Sequence, residues 1–267
     1  MKHQTKWIVS LLAAAIGIVP GAASADDESY FTLSAGYESS SGKYGTTSTT
    51  DIVTIPLSAL YESGPWSLKL TVPYLKITGE GDIIGSGTYR GWRGGSTTTV
   101  TTVTKTRTTQ SGLGDVVTML TYNVYSDDES GSGLDLSGRI KFGTASTALG
   151  TGKNDYAVQF VAYRGVGDFT PFIKAGYEVL GSSTQLQLNN IYYGSLGSSY
   201  SFGEEVSVGA EYKYAQKASA TIADQRELNL YTDIQIGTDV YLHGYLLKGY
   251  SSGSPDTGYG LSLAVVF

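Results

Sequence analysis

The titratable side chains of this chain alternate with apolar ones, and that spacing limits the chemistry they can do. Asp135, Arg139 and Lys141 interleave with Leu134, Leu136, Ile140 and Phe142. Lys174 and Glu178 interleave with Ile173, Ala175, Tyr177 and Val179. Glu205, Glu211 and Lys213 stand against Val206, Val208, Ala210, Tyr212 and Tyr214, and Glu227 and Asp233 against Leu228, Leu230, Ile234 and Ile236. Lys69 and Asp115 fall in the same alternation. Successive side chains of an extended chain point to opposite faces, so each run separates charge from hydrocarbon. Both signs are interspersed, and no single-sign ring forms. Two kinds of chemistry follow: pairing across neighbouring strands, or the polar lining of a narrow pore.

Hydrolytic chemistry has one candidate. His243 is the sole histidine after residue 25, and the turn near Gly237 brings it towards Asp233. A serine–histidine site acting on lipid ester must face lipid. In the register set by Leu242 and Leu246, His243 points the other way. We therefore expect a structural His–Asp pair, and no enzyme. The absence of cysteine excludes thiol catalysis and thiolate metal sites. No metal-ligand cluster, phosphate cradle or dinucleotide fingerprint occurs, so no cofactor and no metal are expected.

The elements that must hold these groups are strands. Phe31 to Tyr37, Val53 to Tyr61, Trp66 to Tyr74, Val116 to Val124, Leu134 to Phe142, Tyr156 to Ala162, Phe169 to Val179, Leu196 to Phe202, Val206 to Tyr214, Leu228 to Ile236, Val240 to Leu246 and Tyr259 to Phe267 all alternate. Runs of roughly 9 to 11 residues suit strands that cross hydrocarbon at a tilt. Short connections (Glu62 to Pro65, Ser126 to Gly133, Gly165 to Asp168, Gly203-Glu204, Gly237-Thr238) alternate with long ones in phase along the whole chain. That predicts an all-β, transmembrane, antiparallel up-and-down barrel of about 12 strands, its short turns periplasmic and its long loops outside. The 21 tyrosines and 35 glycines suit interfacial girdles and tight turns.

Residues 1–25 carry Lys2 and Lys6, the apolar stretch Trp7 to Val19 and the cleavage site Ala23-Ser24-Ala25. These predict a signal peptide, leaving 26–267 as the barrel. That remainder holds 16 basic and 24 acidic residues, a balance that argues against nucleic acid as a partner. Export plus lipid-facing strands predicts the bacterial outer membrane, with membrane lipid, lipopolysaccharide and a small-molecule cargo as partners. The last strand, ending on Phe267, is the expected handle for the barrel-assembly machinery.

Between the third and fourth runs lies a segment of odd composition. Gly79 to Gly95 is glycine-rich and holds Arg90, Trp92 and Arg93, the candidates for a constriction or for lipopolysaccharide phosphate contact. Ser96 to Thr109 is rich in threonine, which favours a hairpin prolonging the flanking strands.

Three stretches resemble an outer-membrane β-barrel family of transporters labelled "meta-pathway of phenol degradation": Ser111-Gly-Leu-Gly-Asp-Val116, Leu149-Gly-Thr-Gly-Lys-Asn-Asp155 and Leu247-Lys-Gly-Tyr-Ser-Ser-Gly-Ser-Pro-Asp-Thr-Gly258. The proline–threonine–glycine usual after the fifth strand is Gly143-Thr144-Ala145 here. The resemblance implies passive passage of small, often aromatic or apolar, molecules. A closed barrel acting through its surface loops is the competing expectation. The charged candidates for lining the interior are Lys69, Asp115, Asp135, Arg139, Lys141, Lys174, Glu178, Glu205, Glu211, Lys213, Glu227 and Asp233, with His243.

Overall fold

The computed structural model describes residues 29–80, 107–127, 129–182, 187–220 and 222–267. The predicted signal peptide lies outside them, as do Arg90, Trp92 and Arg93.

Each alternating run becomes a strand, because an amphipathic extended segment can bury one face only against neighbours of the same pattern. The strands are β1 (Ser29–Gly42), β2 (Thr50–Ser63), β3 (Trp66–Glu80), β4 (Arg107–Leu113), β5 (Val116–Asp127), β6 (Ser132–Phe142), β7 (Asp155–Tyr163), β8 (Phe169–Val179), β9 (Ile191–Phe202), β10 (Val206–Ala215), β11 (Gln225–Gln235), β12 (Val240–Gly249) and β13 (Thr257–Val266). Each pairs antiparallel with its sequence neighbours, except that β4 and β5 both pair with β3 and not with each other, and β1 also pairs with β13 (Leu33 opposite Val265), which closes the sheet. Closure leaves no sheet edge, the condition for strands to cross hydrocarbon.

β4 and β5 are two halves of one stave, so the barrel has the expected twelve staves. Both halves pair with β3, as Tyr74 opposite Leu113 and Thr71 opposite Val117. The break falls at Gly114-Asp115, beside Pro73. Proline has no N–H for the ladder; Gly114 N–H instead donates to the Pro73 carbonyl at 2.8 Å. The expected hairpin extension is present where described, with Thr78 opposite Thr109 and Glu80 opposite Arg107. Two boundaries therefore move: β3 runs on to Glu80, and its partner stave begins at Arg107 rather than near Val116.

The outer face is an apolar belt, with Leu57, Leu68, Leu120, Ile173, Leu196, Leu230, Leu246 and Leu261 all exposed. Aromatic pairs edge it. Phe31 meets Phe267 and Trp66 meets Tyr122 at the short-turn end, with ring centroids 6.4 and 4.6 Å apart. Tyr37 meets Tyr259 and Tyr177 meets Tyr192 at the long-loop end, at 6.3 and 4.8 Å. A barrel with hydrocarbon outside and aromatic girdles at both rims has the surface of a protein seated in a bilayer. Among the described residues no helix is long and apolar enough to cross a membrane.

Candidate functional site

The interior face carries the charges that the alternation assigned to it, and the closed sheet pairs them. Lys141 on β6 lies 3.2 Å from Asp115 and 2.7 Å from Asp155 at the head of β7. Arg139 meets Glu178 of β8 at 2.5 Å. Glu211, fully buried on β10, sits 3.3 Å from Lys174 and 3.1 Å from Lys213. Asn123 Nδ2 donates to Asp135 at 2.7 Å. Lys69 is buried on β3. Glu227 is only partly exposed, on the interior side of β11. Glu205 is the exception. It stands exposed in the turn before β10, because Gly203 takes a positive φ of 72° and the turn extends one residue further than expected. Glu38 and Glu62 were missed among the interior charges. Even positions of β1 and β2 face inward, as buried Thr32, Ser40, Thr54 and Leu60 show, so their parity was the available signal.

The aromatic side chains of the interior lie flat on the wall. Tyr231 is directly opposite Gly209, Tyr245 opposite Gly260, Tyr193 opposite Gly176, Tyr163 opposite Gly133 and Phe172 opposite Gly197. A Cβ at any of these five glycines would overlap the facing ring. Each ring therefore occupies the space of a missing side chain and leans away from the barrel axis. The wall formed by β13, β1 and β2 carries small groups instead: Ser262, Ser34, Gly36, Pro56 and Ser58, all partly exposed.

At the long-loop end the connections fold inward. Leu149, 2% exposed, packs with Ala145, Ile52, Leu75 and Ile77, so the β6–β7 loop reaches over to β2 and β3. Asp115 anchors it, accepting the Ala145 N–H at 2.9 Å, while a Cβ on Gly150 would press against the same carboxylate. The β12–β13 loop is pinned likewise. Ser254 Oγ accepts Arg226 N–H at 2.9 Å, and Asp256 N–H donates to Ser41 at 2.8 Å. The Gly-Leu-Gly-Asp and Leu-Gly-Thr-Gly stretches are thus two sides of one contact.

The sequence matches the family model described as "Putative MetA-pathway of phenol degradation" over residues 24–244. The chain belongs to this family. No curated protein sequence matches it. Its fold resembles an outer membrane channel from Pseudomonas putida F1, at TM-score 0.67 and 12% identity, covering 94% of this chain and 100% of that one. The KdgM porin has the same fold at TM-score 0.53 and 10% identity, covering 88% and 99%. So does the beta domain of the Bordetella autotransporter BrkA, at TM-score 0.53 and 13% identity, covering 90% and 100%. At these identities the likeness is one of fold.

Within this phenol-degradation family member, His243 is the residue nearest to a catalytic arrangement. It is 1% exposed and lies 2.6 Å from Asp233 through Nδ1, between the rings of Tyr231 and Tyr245. Ser262 stands directly opposite on β13, so Asp233, His243 and Ser262 fall in one cross-strand row. The row is not a relay. Neither His243 Nε2 nor Ser262 Oγ has a hydrogen-bond partner, so the bond from nucleophile to base is missing. Sequence spacing could not find Ser262, because alternation along β12 and β13 does not fix the register that sets it opposite His243.

Proposed function

We propose that this protein is a passive channel for small molecules in the outer membrane of a Gram-negative cell, exported by its first 25 residues. One observation carries the reading: five interior aromatic rings are folded onto glycines, against the wall and away from the axis. A barrel that only needed filling would point such rings inward. The path runs along the small hydroxyl wall of Ser34, Ser58 and Ser262, facing the ring faces and the partly exposed Arg139, Lys213 and Glu227. Those three, with Glu38 and Lys69, are the groups proposed to set charge preference; the buried pair Lys174–Glu211, and Lys141 with Asp115 and Asp155, brace the wall. Ring faces opposite hydroxyls suit small aromatic or apolar cargo carrying a polar group, in keeping with the family label and with the channel fold of the P. putida relative.

The constriction is assigned to Leu149 and its seat. No hydrolase activity is expected of His243, and a serine-reactive phosphonate probe should leave the folded barrel unlabelled. Lipopolysaccharide around the long-loop end, and the assembly machinery at the strand ending in Phe267, complete the proposed partners.

Refolded residues 26–267 in a planar bilayer should give discrete conductance steps. A preparation that is fully heat-modifiable on gels, hence folded, yet electrically silent would overturn the channel. It would favour the second reading, a sealed barrel that acts through its loops. That alternative draws on the inward-packed Leu149 cluster and the closely paired interior charges.

A further inference from the structure

Basic side chains are unevenly divided between the two ends of the barrel. Outside the interior, the short-turn end holds Asp127, Glu129, Asp168, Glu204, Glu205 and Asp239 against Arg164. Every other described basic residue outside the interior stands at the long-loop end. Two of these lie side by side on the outer wall. Arg226, near the head of β11, alternates with interior Gln225 and Glu227, and Lys248, near the end of β12, alternates with buried Leu247. Both are exposed. Lys248 pairs with Leu228, and the Tyr250 N–H donates to the Arg226 carbonyl at 2.8 Å, so Arg226 and Lys248 are diagonal neighbours. Such positions stand about 7–8 Å apart, within joint reach of one tetrahedral anion for two long side chains. Neither has an ion-pair partner among the described residues. The nearby Asp224 carboxylate is already engaged, accepting Tyr214 Oη–H at 3.0 Å and Lys217 N–H at 2.9 Å.

The groups below this pair are apolar. Leu228 is partly exposed, and Leu230 and Leu246 are 51% and 64% exposed one step further into the belt. Tyr250, 59% exposed, flanks the cations at the height where headgroups lie. Charge at the rim over hydrocarbon immediately beneath matches an amphiphile whose phosphates sit directly on its acyl chains.

We propose that Arg226 and Lys248 form a binding site for a lipid A phosphate of lipopolysaccharide, with its acyl chains along Leu228, Leu230 and Leu246. The proposal rests on the outer-membrane reading and adds the site itself. It also accounts for the polarity of the barrel. The outward leaflet carries fixed phosphomonoesters, so the end facing it collects cations and the opposite end does not.

The test uses the refolded barrel in detergent with fluorescent bisphosphorylated lipid A as probe. R226A/K248A should bind it at least tenfold more weakly than the parent, and R226K should fall between, since lysine loses the bidentate fork. Dephosphorylated lipid A should bind weakly and equally to all three. Lys76→Ala, on the far side of the barrel, should bind like the parent. Unchanged affinity in R226A/K248A would overturn the site, as would phosphatidylglycerol competing as well as lipid A, which would mark generic attraction of anions. Both substitutions fall on exposed positions, and heat-modifiable migration checks folding. Should the double variant not fold, Arg226→Gln and Lys248→Gln made singly must each weaken binding. Conductance of the same preparations tests the channel separately, so a failure of this site leaves that result standing.

Discussion

Gly209 and Tyr231 show how closely the interior depends on single side chains. The Tyr231 ring occupies the space that a Cβ at position 209 would take, and its hydroxyl reaches the Ser198 carbonyl on β9 at 3.4 Å. Gly209→Val must lift that ring towards the axis or spread the strands. It should cost roughly 1–3 kcal/mol, the usual range for overpacking, read as a lower urea midpoint for loss of the heat-modified band. It should also reduce conductance, since the displaced ring enters the path. Glu211 makes the complementary case. It is fully buried between two ammonium groups, at 3.3 and 3.1 Å. Glu211→Gln leaves the buried Lys174 and the partly exposed Lys213 beside a neutral group, which costs about 3–5 kcal/mol where a buried pair loses one partner. Adding Lys174→Met should restore part of that, because removing both charges is far cheaper than stranding one. A double variant less stable than Glu211→Gln alone would show that the carboxylate is not held by its charge.

At the scale of elements, the β6–β7 loop is the part most able to govern passage. Its Leu149 is seated in an apolar cluster with Ala145 of the same loop and Ile52, Leu75 and Ile77 of β2 and β3, so the loop folds inward instead of standing out in solvent. An apolar constriction gates by excluding water. Leu149→Ser should therefore raise single-channel conductance several-fold with little effect on stability of the twelve staves. If conductance stays at the parent value while an inserted spin label reports the loop displaced, the constriction lies elsewhere. The segment from Gly81 to Thr109 would then be the next to delete. The break at Gly114-Asp115 belongs to the same device: by interrupting the stave it frees Asp115 to hold the loop at Ala145.

Taken whole, the barrel has an acidic interior. Its inward charges are Glu38, Glu62, Asp115, Asp135, Asp155, Glu178, Glu211, Glu227 and Asp233 against Lys69, Arg139, Lys141, Lys174 and Lys213. In a narrow low-dielectric bore that imbalance favours cations. A salt gradient across a planar bilayer should give a reversal potential of cation-preferring sign, reduced when Glu38→Gln and Glu227→Gln are combined. An anion-preferring potential would mean that the conducting path avoids these carboxylates.

The amino-acid sequence by itself determined the staves, their number, and which face of each meets lipid. Those properties are set by a period of two and by turn residues, both local, so Leu230 and Asp233 declare their sides without a partner. The tertiary structure decided what meets what. Leu149 finds Ile52 across nearly a hundred residues, and Asp233, His243 and Ser262 align through two registers. Tyr245 finds Gly260 only in the one register that the β12–β13 hairpin adopts. Alternation repeats identically under any slip of two residues, so it cannot select the register. Packing in the folded barrel selects one, because only there do the rings find their glycines and the buried charges their counterparts.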